Sequence, residues 1–473
     1  AGAMTGRLGR RRAAGCAAAL ILLVAPAVAR ADWDQVAIAP SSAIDGYTSE
    51  VSVLPGQRVH FHVRTNPARP YRLDVYRLGA WTGSAPERLA CVPSCRGSRT
   101  GRAWPIPKPD SRTGELDAGW PVTASFRVPA AWRSGYYVAK AVLTAGSRKG
   151  HGRLIPFILR APAGNRSAIL VQAAVSTWQA YNHWGGKSLY PYNSTNGVAA
   201  NHVSFNRPYF DVGVGGQSLF DWEIQLVRFL EREGYDVTYT TDVDVHRDPG
   251  ELLRHRLVIA AGHDEYWSKE QFDGFETARD AGVDLAFFGG NTAYWQARYE
   301  DRERTLVEYR ANDPYPDPSR RTMKFRDLSP ARPECHLLGE MTPDDGALLG
   351  GPGLDLPVDD AALSNPWFAG TGFGPGSVLS RVVGYEWDRF QSWCLTPGTP
   401  TILFHLEGVP PLASADSVTY STPAGATVFT AGTFQFSWAL DGYGAAGTRV
   451  DPRLQQFVRN MLNSMLGTPQ GAA

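Results

Sequence analysis

The sequence predicts an α/β open-sheet domain preceded by an all-β domain of the immunoglobulin-like sandwich type, and three observations carry that prediction. Leu257 to Ala261 and Val283 to Phe288 are short apolar runs, the pattern of parallel strands covered on both faces. Between them, Ser268 and Gln271 have capping-box spacing and start a helix that ends near Gly282, so the stretch makes a βαβ unit. From Trp33 to about Pro162, by contrast, short alternating apolar segments are separated by turn residues with no helical period. There Val51 to Val53, Val59 to Val63, Tyr71 to Tyr76, Ala124 to Val128 and Tyr136 to Leu143 read as antiparallel strands with one wet and one dry face.

In chain order, residues 1–31 read as an export signal. Arg7, Arg10, Arg11 and Arg12 precede an apolar run from Ala13 to Val28, and Ala27, Ala29 and Ala31 offer A-x-A cleavage. The run is shorter than the ~20 residues of a spanning helix, so the expectation is a secreted or extracytoplasmic protein with no membrane partner after cleavage. The sandwich spans 33–162, with a Pro-, Gly-, Arg- and Ser-rich insertion from Gly79 to Gly119 that extends toward the second domain. Ala161 to Gly164 is the linker, and the α/β domain spans 165–470. It opens with a strand from Ser167 to Ala173 and a polar, aromatic stretch from Trp178 to Tyr192. Ser218 and Asp221 cap a helix whose Leu219, Trp222, Leu226, Phe229 and Leu230 share one face, and Gly234 ends it. Val237 to Thr241, Thr401 to Leu406 and Thr427 to Ala431 are further strands, and Pro452 to Leu466 is a closing amphipathic helix. Clustered glycines at Gly213 to Gly216 lack the strand-to-helix spacing of a phosphate loop.

Forty-seven basic against forty-six acidic residues leave no charge asymmetry to recommend nucleic acid or an anionic membrane. Four of the five cysteines remain after the signal, an even number that suits an oxidising compartment. Cys91 and Cys95 are close enough to close a small loop, which leaves Cys335 to pair with Cys394 by elimination. A zinc site from these four is the weaker alternative, because no C-x-x-C pair or suitably spaced histidine accompanies them.

The loops that leave the two central strands carry His263, Asp264, Glu265 and Tyr266, and Gly289, Gly290, Asn291 and Tyr294. Ligands of open α/β sheets bind at that carboxyl edge. A turn of this kind invites a nucleophile-elbow reading, as in glutamine-amidotransferase-like open sheets, but Ala261 to Glu265 offers neither Ser nor Cys. A metal ion is the natural substitute, because it polarises a carbonyl and activates water without a nucleophilic side chain.

Four segments, YNHWGGKSLY from Tyr181, VSFNRPY from Val203, GHDEYWS from Gly262 and FGGNTAYW from Phe288, resemble the large (β) subunit of N,N-dimethylformamidase and its relatives. YRLDVYRLGAWTG from Tyr71 is similar, less specifically, to a preceding domain of these proteins. The resemblance implies an amidohydrolase with a mononuclear iron (Fe) held by two tyrosinates and a glutamate, matched here by Tyr266, Tyr294 and Glu386. Hard phenolate and carboxylate oxygens suit a hard cation. It also implies a small subunit that this chain does not contain.

The expected function is hydrolysis of the C–N bond of a small linear amide. Catalytic candidates are His263, Glu265 and Asn291; Asp264 and Glu265 are rival carboxylate ligands, and Trp178, Tyr181, Asn182 and His183 are candidate pocket residues. Each has an ordinary structural alternative: a packed tyrosine with a hydrogen-bonded hydroxyl, a loop histidine, an Asn that holds its own turn. The second function class is a secreted carbohydrate- or cell-surface-binding protein without catalysis. Self-association as a homo-oligomer is compatible with either.

Overall fold

Apolar strands with no polar face must be covered on both sides, and the computed structural model shows how this chain covers them. It describes residues 43–81, 85–210, 219–343, 349–409, 411–444 and 449–467. The expected export signal, Ser218 and the Gly213 to Gly216 cluster lie outside the described residues. Among the described residues no helix is long and apolar enough to cross a membrane.

The largest sheet has seven strands: β1 (Ile169–Ala173), β2 (Val237–Thr241), β3 (Leu257–Ala261), β4 (Asp284–Phe288), β5 (Thr401–Leu406), β6 (Ala415–Ser421) and β7 (Thr427–Thr430). Their spatial order is β2-β1-β3-β4-β7-β6-β5. The first five in that order run parallel, and β6 is antiparallel to both of its neighbours, β7 and β5. β3 pairs with β4 from Leu257 opposite Asp284 to Ala261 opposite Phe288, so the two strands end level and their loops start side by side. Helices α1 (Val175–Tyr181), α2 (Ile224–Arg232), α3 (Lys269–Asp280) and α4 (Pro452–Leu466) accompany the sheet.

The capping box at α3 is formed as the sequence predicts. Ser268 Oγ accepts from Gln271 N at 3.1 Å and Gln271 Oε1 accepts from Ser268 N at 3.3 Å. The helix then buries Phe272, Phe275 and Ala278 against Val258, Leu285 and Phe287 of the sheet. The single helix expected from Ser218 to Gly234 is instead two pieces, Leu219–Trp222 and α2. They meet at Glu223, whose carboxylate accepts from Tyr136 Oη at 2.6 Å and Trp178 Nε1 at 2.5 Å.

A second small sheet lies over the carboxyl edge. It joins His202–Ser204, Thr305–Val307, Trp295–Glu300 and Tyr266–Ser268 in that order, with Met323–Lys324 beside Trp295–Glu300. The loop expected around Tyr266 therefore already pairs in parallel at Tyr266, opposite Trp295.

Two antiparallel-rich sheets form the N-terminal part. One has Ile44–Thr48, Arg58–Thr65 and Ala124–Arg127; the other runs Ser52–Val53, Gly152–Leu159, Gly135–Leu143, Tyr71–Leu78 and Arg88–Val92. Val59, Phe61, Val75, Ala139 and Phe157 share one core between them. Gly135–Leu143 departs from the expected single wet face. Tyr137 and Ala139 point into that core, while Tyr136 and Val138 join Ile169, Val171 and Ile224 in the larger core of the seven-stranded sheet. The 79–119 insertion reaches the second sheet system, with Ala118 N donating to Asn206 O at 2.8 Å, and just after it Trp120 is edge-on to Trp184 at 5.5 Å. Arg77 clamps Glu231 with two hydrogen bonds of 2.7 and 2.8 Å. The protein is thus mixed α/β with several sheets in continuous contact.

Both cysteine pairs are bonded as the sequence predicts, Cys91 to Cys95 and Cys335 to Cys394. The second spans 59 residues of separation, and on a chain-entropy account opening such a loop costs about 4 kcal/mol, against about 2 kcal/mol for the four-residue separation of the first. Replacing Cys335 and Cys394 by Ser is therefore expected to lower the unfolding midpoint further than replacing Cys91 and Cys95, and calorimetry of the two double variants checks the order.

Burial pushes the Glu223 carboxyl up to about 8, against the downward pull of Tyr136 and Trp178. The folded state then holds this proton more tightly than the unfolded chain, so its contribution declines as pH rises from the ordinary carboxyl range to about 8. Glu223→Gln, a match to the neutral acid, is expected to recover about 2–4 kcal/mol relative to the parent at high pH. Denaturant titrations of both proteins at about pH 5 and about pH 8 measure the difference; parallel declines would refute it.

Candidate active site

Level ends of β3 and β4 bring two loops together, and a close backbone contact fixes them. A Cβ on Gly289 would stand 1.8 Å from Gly262 O, so only glycine lets the loops meet there. The chain after Gly262 places His263 and Glu265 inward, at 2% exposure each. Glu386 arrives from the segment after Val378–Tyr385, with its side chain 23% exposed.

Among the described residues, His263, Glu265 and Glu386 are the one group of three or more His, Cys, Asp or Glu side chains whose donor atoms all lie within 4.8 Å of one another. His263 Nε2 is 3.1 Å from Glu265 Oε2 and 3.5 Å from Glu386 Oε2. Neither approach has hydrogen-bond alignment, and both ring nitrogens lack a hydrogen-bond partner. The ring packs on Phe434 at 4.0 Å. Burial alone would pull the imidazolium down, but the two carboxylates outweigh it and raise His263 to about 9. Glu265 shifts the other way: burial opposes its charge, yet His263 and the Tyr181 hydroxyl hold it below the ordinary range.

Glu265 collects the surrounding donors. Tyr181 Oη donates at 2.7 Å, Tyr190 Oη at 3.0 Å and Trp295 Nε1 at 2.9 Å. Tyr181 and Tyr190 stack at 4.3 Å, and Tyr266 Oη donates to Tyr190 Oη at 2.7 Å. Arg310 then closes the array: it donates to Tyr266 Oη at 3.2 Å, and its guanidinium lies 4.2 Å from the Tyr190 ring centroid and 5.1 Å from that of Trp295. Burial, and next the charge of Glu265, hold all three phenols protonated, well above their ordinary range.

Asn291 stands at positive φ (53°) and donates from Nδ2 to Glu386 Oε2 at 2.7 Å. Its own N–H donates to Asp388 Oδ1 at 2.8 Å, and Thr342 Oγ1 lies 2.9 Å from Asn291 Oδ1. The structure thus brings together His263, Glu265, Asn291 and Glu386, with Tyr266 one phenol removed from Glu265. The Tyr294 ring faces Lys324 Nζ at 4.9 Å and Arg326 Cζ at 5.1 Å. Asp264 accepts from Gln172 of β1 at 2.6 Å.

Of the expected pocket residues, Tyr181 reaches the cluster. Trp178 serves Glu223, Asn182 braces the loop through Gln179 and Pro208, and His183 packs on Phe210 at 3.9 Å. Sequence reasoning missed Tyr190 and Arg310. Tyr190 ends the same YNHWGGKSLY segment that Tyr181 begins, a signal that was there to use; Arg310 has no motif around it.

An imidazole nitrogen with two carboxylates and adjoining phenols is a donor set for a hard or borderline cation. The buried His263 ring, without an aligned hydrogen-bond partner, fits that donor chemistry.

The N-terminal domain of mmIFT52 aligns over 51% of this chain and 89% of its own, at 13% identity and TM-score 0.30. Domain 1 of VCBP3 from Branchiostoma floridae aligns over 26% and 97%, at 10% identity and TM-score 0.15. A Faecalibacterium prausnitzii beta-glucuronidase aligns over 52% and 42%, at 13% identity and TM-score 0.14. These likenesses are too slight to carry an argument. Among curated proteins none matches. Residues 72–449, most of the chain and all of the cluster just described, match the family described as N,N-dimethylformamidase beta subunit-like, C-terminal. The chain belongs to that N,N-dimethylformamidase beta subunit-like family, a membership that suggests an amidohydrolase-like kind of function.

Proposed function

We propose that the protein hydrolyses the C–N bond of a small linear amide at a single metal ion, iron as the family resemblance implies, held by His263, Glu265 and Glu386. The observation that carries this reading is the convergence of one imidazole nitrogen and two carboxylates within 4.8 Å, with the imidazole lacking any aligned hydrogen bond. The ion would supply Lewis acidity toward the amide carbonyl and acidify water.

The protein's own groups do the rest. Tyr181, Tyr190 and Trp295 fix Glu265, so its position does not depend on substrate. Glu386 is the most exposed of the three and uses Oε2 for Asn291. Its other oxygen is the group to accept a proton from water as water adds to the carbonyl carbon, and to return it to nitrogen as the C–N bond breaks. Arg310, stacked on Tyr190 and Trp295, orients the phenol array beside the reacting group. We also take the N-terminal sheets as an immunoglobulin-like sandwich, and the two disulfides support work in an oxidising, extracytoplasmic setting.

His263→Ala and Glu265→Gln are each expected to abolish metal retention and to reduce kcat/KM for amides such as N,N-dimethylformamide by at least ~10³-fold, a loss typical of removing essential machinery. Elemental analysis and amine release measure the two effects. Tyr294→Phe is expected to keep its metal; loss of iron in that variant, with retention in His263→Ala, would restore the Tyr266, Tyr294 and Glu386 ligand set instead. Asn291→Ala leaves the three ligands in place but removes the donor to Glu386. Its metal affinity is expected to fall about 10–100-fold, as for other groups that orient a ligand, and competition with a chelator reads it.

A further inference from the structure

Behind Asn291 lies a second group of acids that the proposed reaction does not use. Glu340, Asp388 and Asp416 are exposed by 0%, 0% and 3%. Their partners are unequal. Asp416 is matched by His405 Nδ1 at 2.6 Å and by Phe390 N at 2.9 Å. Asp388 Oδ1 accepts from Asn291 N at 2.8 Å and Thr342 Oγ1 at 2.6 Å, while Asp388 Oδ2 has no partner. Glu340 has none on either oxygen. The neighbouring Arg326 is engaged by Glu334, at 3.2 and 3.1 Å.

The backbone draws these groups onto one place. Asp388 N donates to Gly432 O at 2.7 Å, and Asp416 N donates to Asp388 O at 3.0 Å. Gly432 has φ +67°, and a Cβ on it would stand 1.9 Å from Asp416 O and 2.7 Å from Glu340 Oε1. Only glycine leaves room there for a main-chain carbonyl and an unpartnered carboxylate to come this close together. A carboxylate buried with no donor and no cation is strongly disfavoured, so something else must neutralise it.

We propose that Glu340 and Asp388, with the Asp416 main-chain oxygen and water, hold a structural Ca²⁺ beneath the Glu386 segment. All the protein ligands are oxygens, without imidazole, which suits the flexible coordination of calcium better than the strict octahedron of magnesium. The ion would tie the segments at 340, 388 and 416 together directly behind Asn291.

The test uses the full chain stripped by chelation and follows thermal unfolding with added CaCl₂, with MgCl₂ at equal ionic strength as control. Calcium is expected to raise Tm by about 3 °C or more. The same rise should appear in His263→Ala, which removes the other cluster, and be lost in Glu340→Gln. No rise in the parent, or a rise that survives Glu340→Gln and disappears in His263→Ala, overturns the proposal. Should Glu340→Gln fail to fold, calcium bound to dialysed His263→Ala protein decides: about one ion per chain supports the site, and none leaves Glu340 a protonated core acid and the proposal refuted.

Discussion

A carboxylate that is 2% exposed is the constraint on which the rest of the site depends. Moving Glu265 out of water is costly unless its charge is met by donors and an opposite charge. The donors come from distant parts of the chain, Tyr181 at the end of α1, Tyr190 in the following loop and Trp295 in the overlying sheet, and the opposite charge from His263 after β3. Each has to arrive in register for the charge to be tolerable. The level ends of β3 and β4, the glycine contact between their loops and the parallel pairing of Tyr266 with Trp295 supply that register. Fold and site are therefore one requirement: shifting a strand by a single residue would leave Glu265 buried without its partners.

Much of this is legible in the sequence because local rules decide it. The runs from Leu257 and Val283 are apolar enough to read as doubly covered strands, and Ser268 with Gln271 fixes where α3 starts. His263, Glu265 and Asn291 follow from those elements, since they are the polar residues at strand ends. What the sequence does not reveal is set by tertiary contact. Nothing local to Glu223 tells that Tyr136, nearly ninety residues earlier, reaches its carboxylate where two helical pieces meet. Alternation in Gly135–Leu143 suggests a wet face, but that face is covered by the second core. Tyr294 and Tyr190 make the same point for the site. Both are motif tyrosines, and only tertiary packing determines that one ring meets Lys324 and Arg326 while the other meets Glu265.

The phenols beside Glu265 also explain a division of labour within the cluster. Tyr181, Tyr190 and Tyr266 are held protonated by burial and by the Glu265 charge, so Tyr181 and Tyr190 donate to that carboxylate while Tyr266 donates to Tyr190. Glu386 has a different environment. It is partly exposed and held through one oxygen by Asn291, which leaves it free to exchange with what enters from solvent. The chain thus separates an immobile acid from an accessible one by depth.

Depth also accounts for the support behind Asn291. Its backbone sits at positive φ, a conformation that a non-glycine residue keeps only when its surroundings impose it. Asp388 and Thr342 impose it here, by accepting the Asn291 N–H and by placing a hydroxyl beside its side-chain oxygen. Asp388 is itself buried, and its backbone is interlaced with Gly432 and Asp416. Thus Glu386, the accessible acid, is positioned by a chain of contacts that ends in the most deeply buried charges of the region. A perturbation at Asp388 would be felt at Glu386 through Asn291. That coupling follows from the order of the contacts alone, whichever ion or proton neutralises the buried pair.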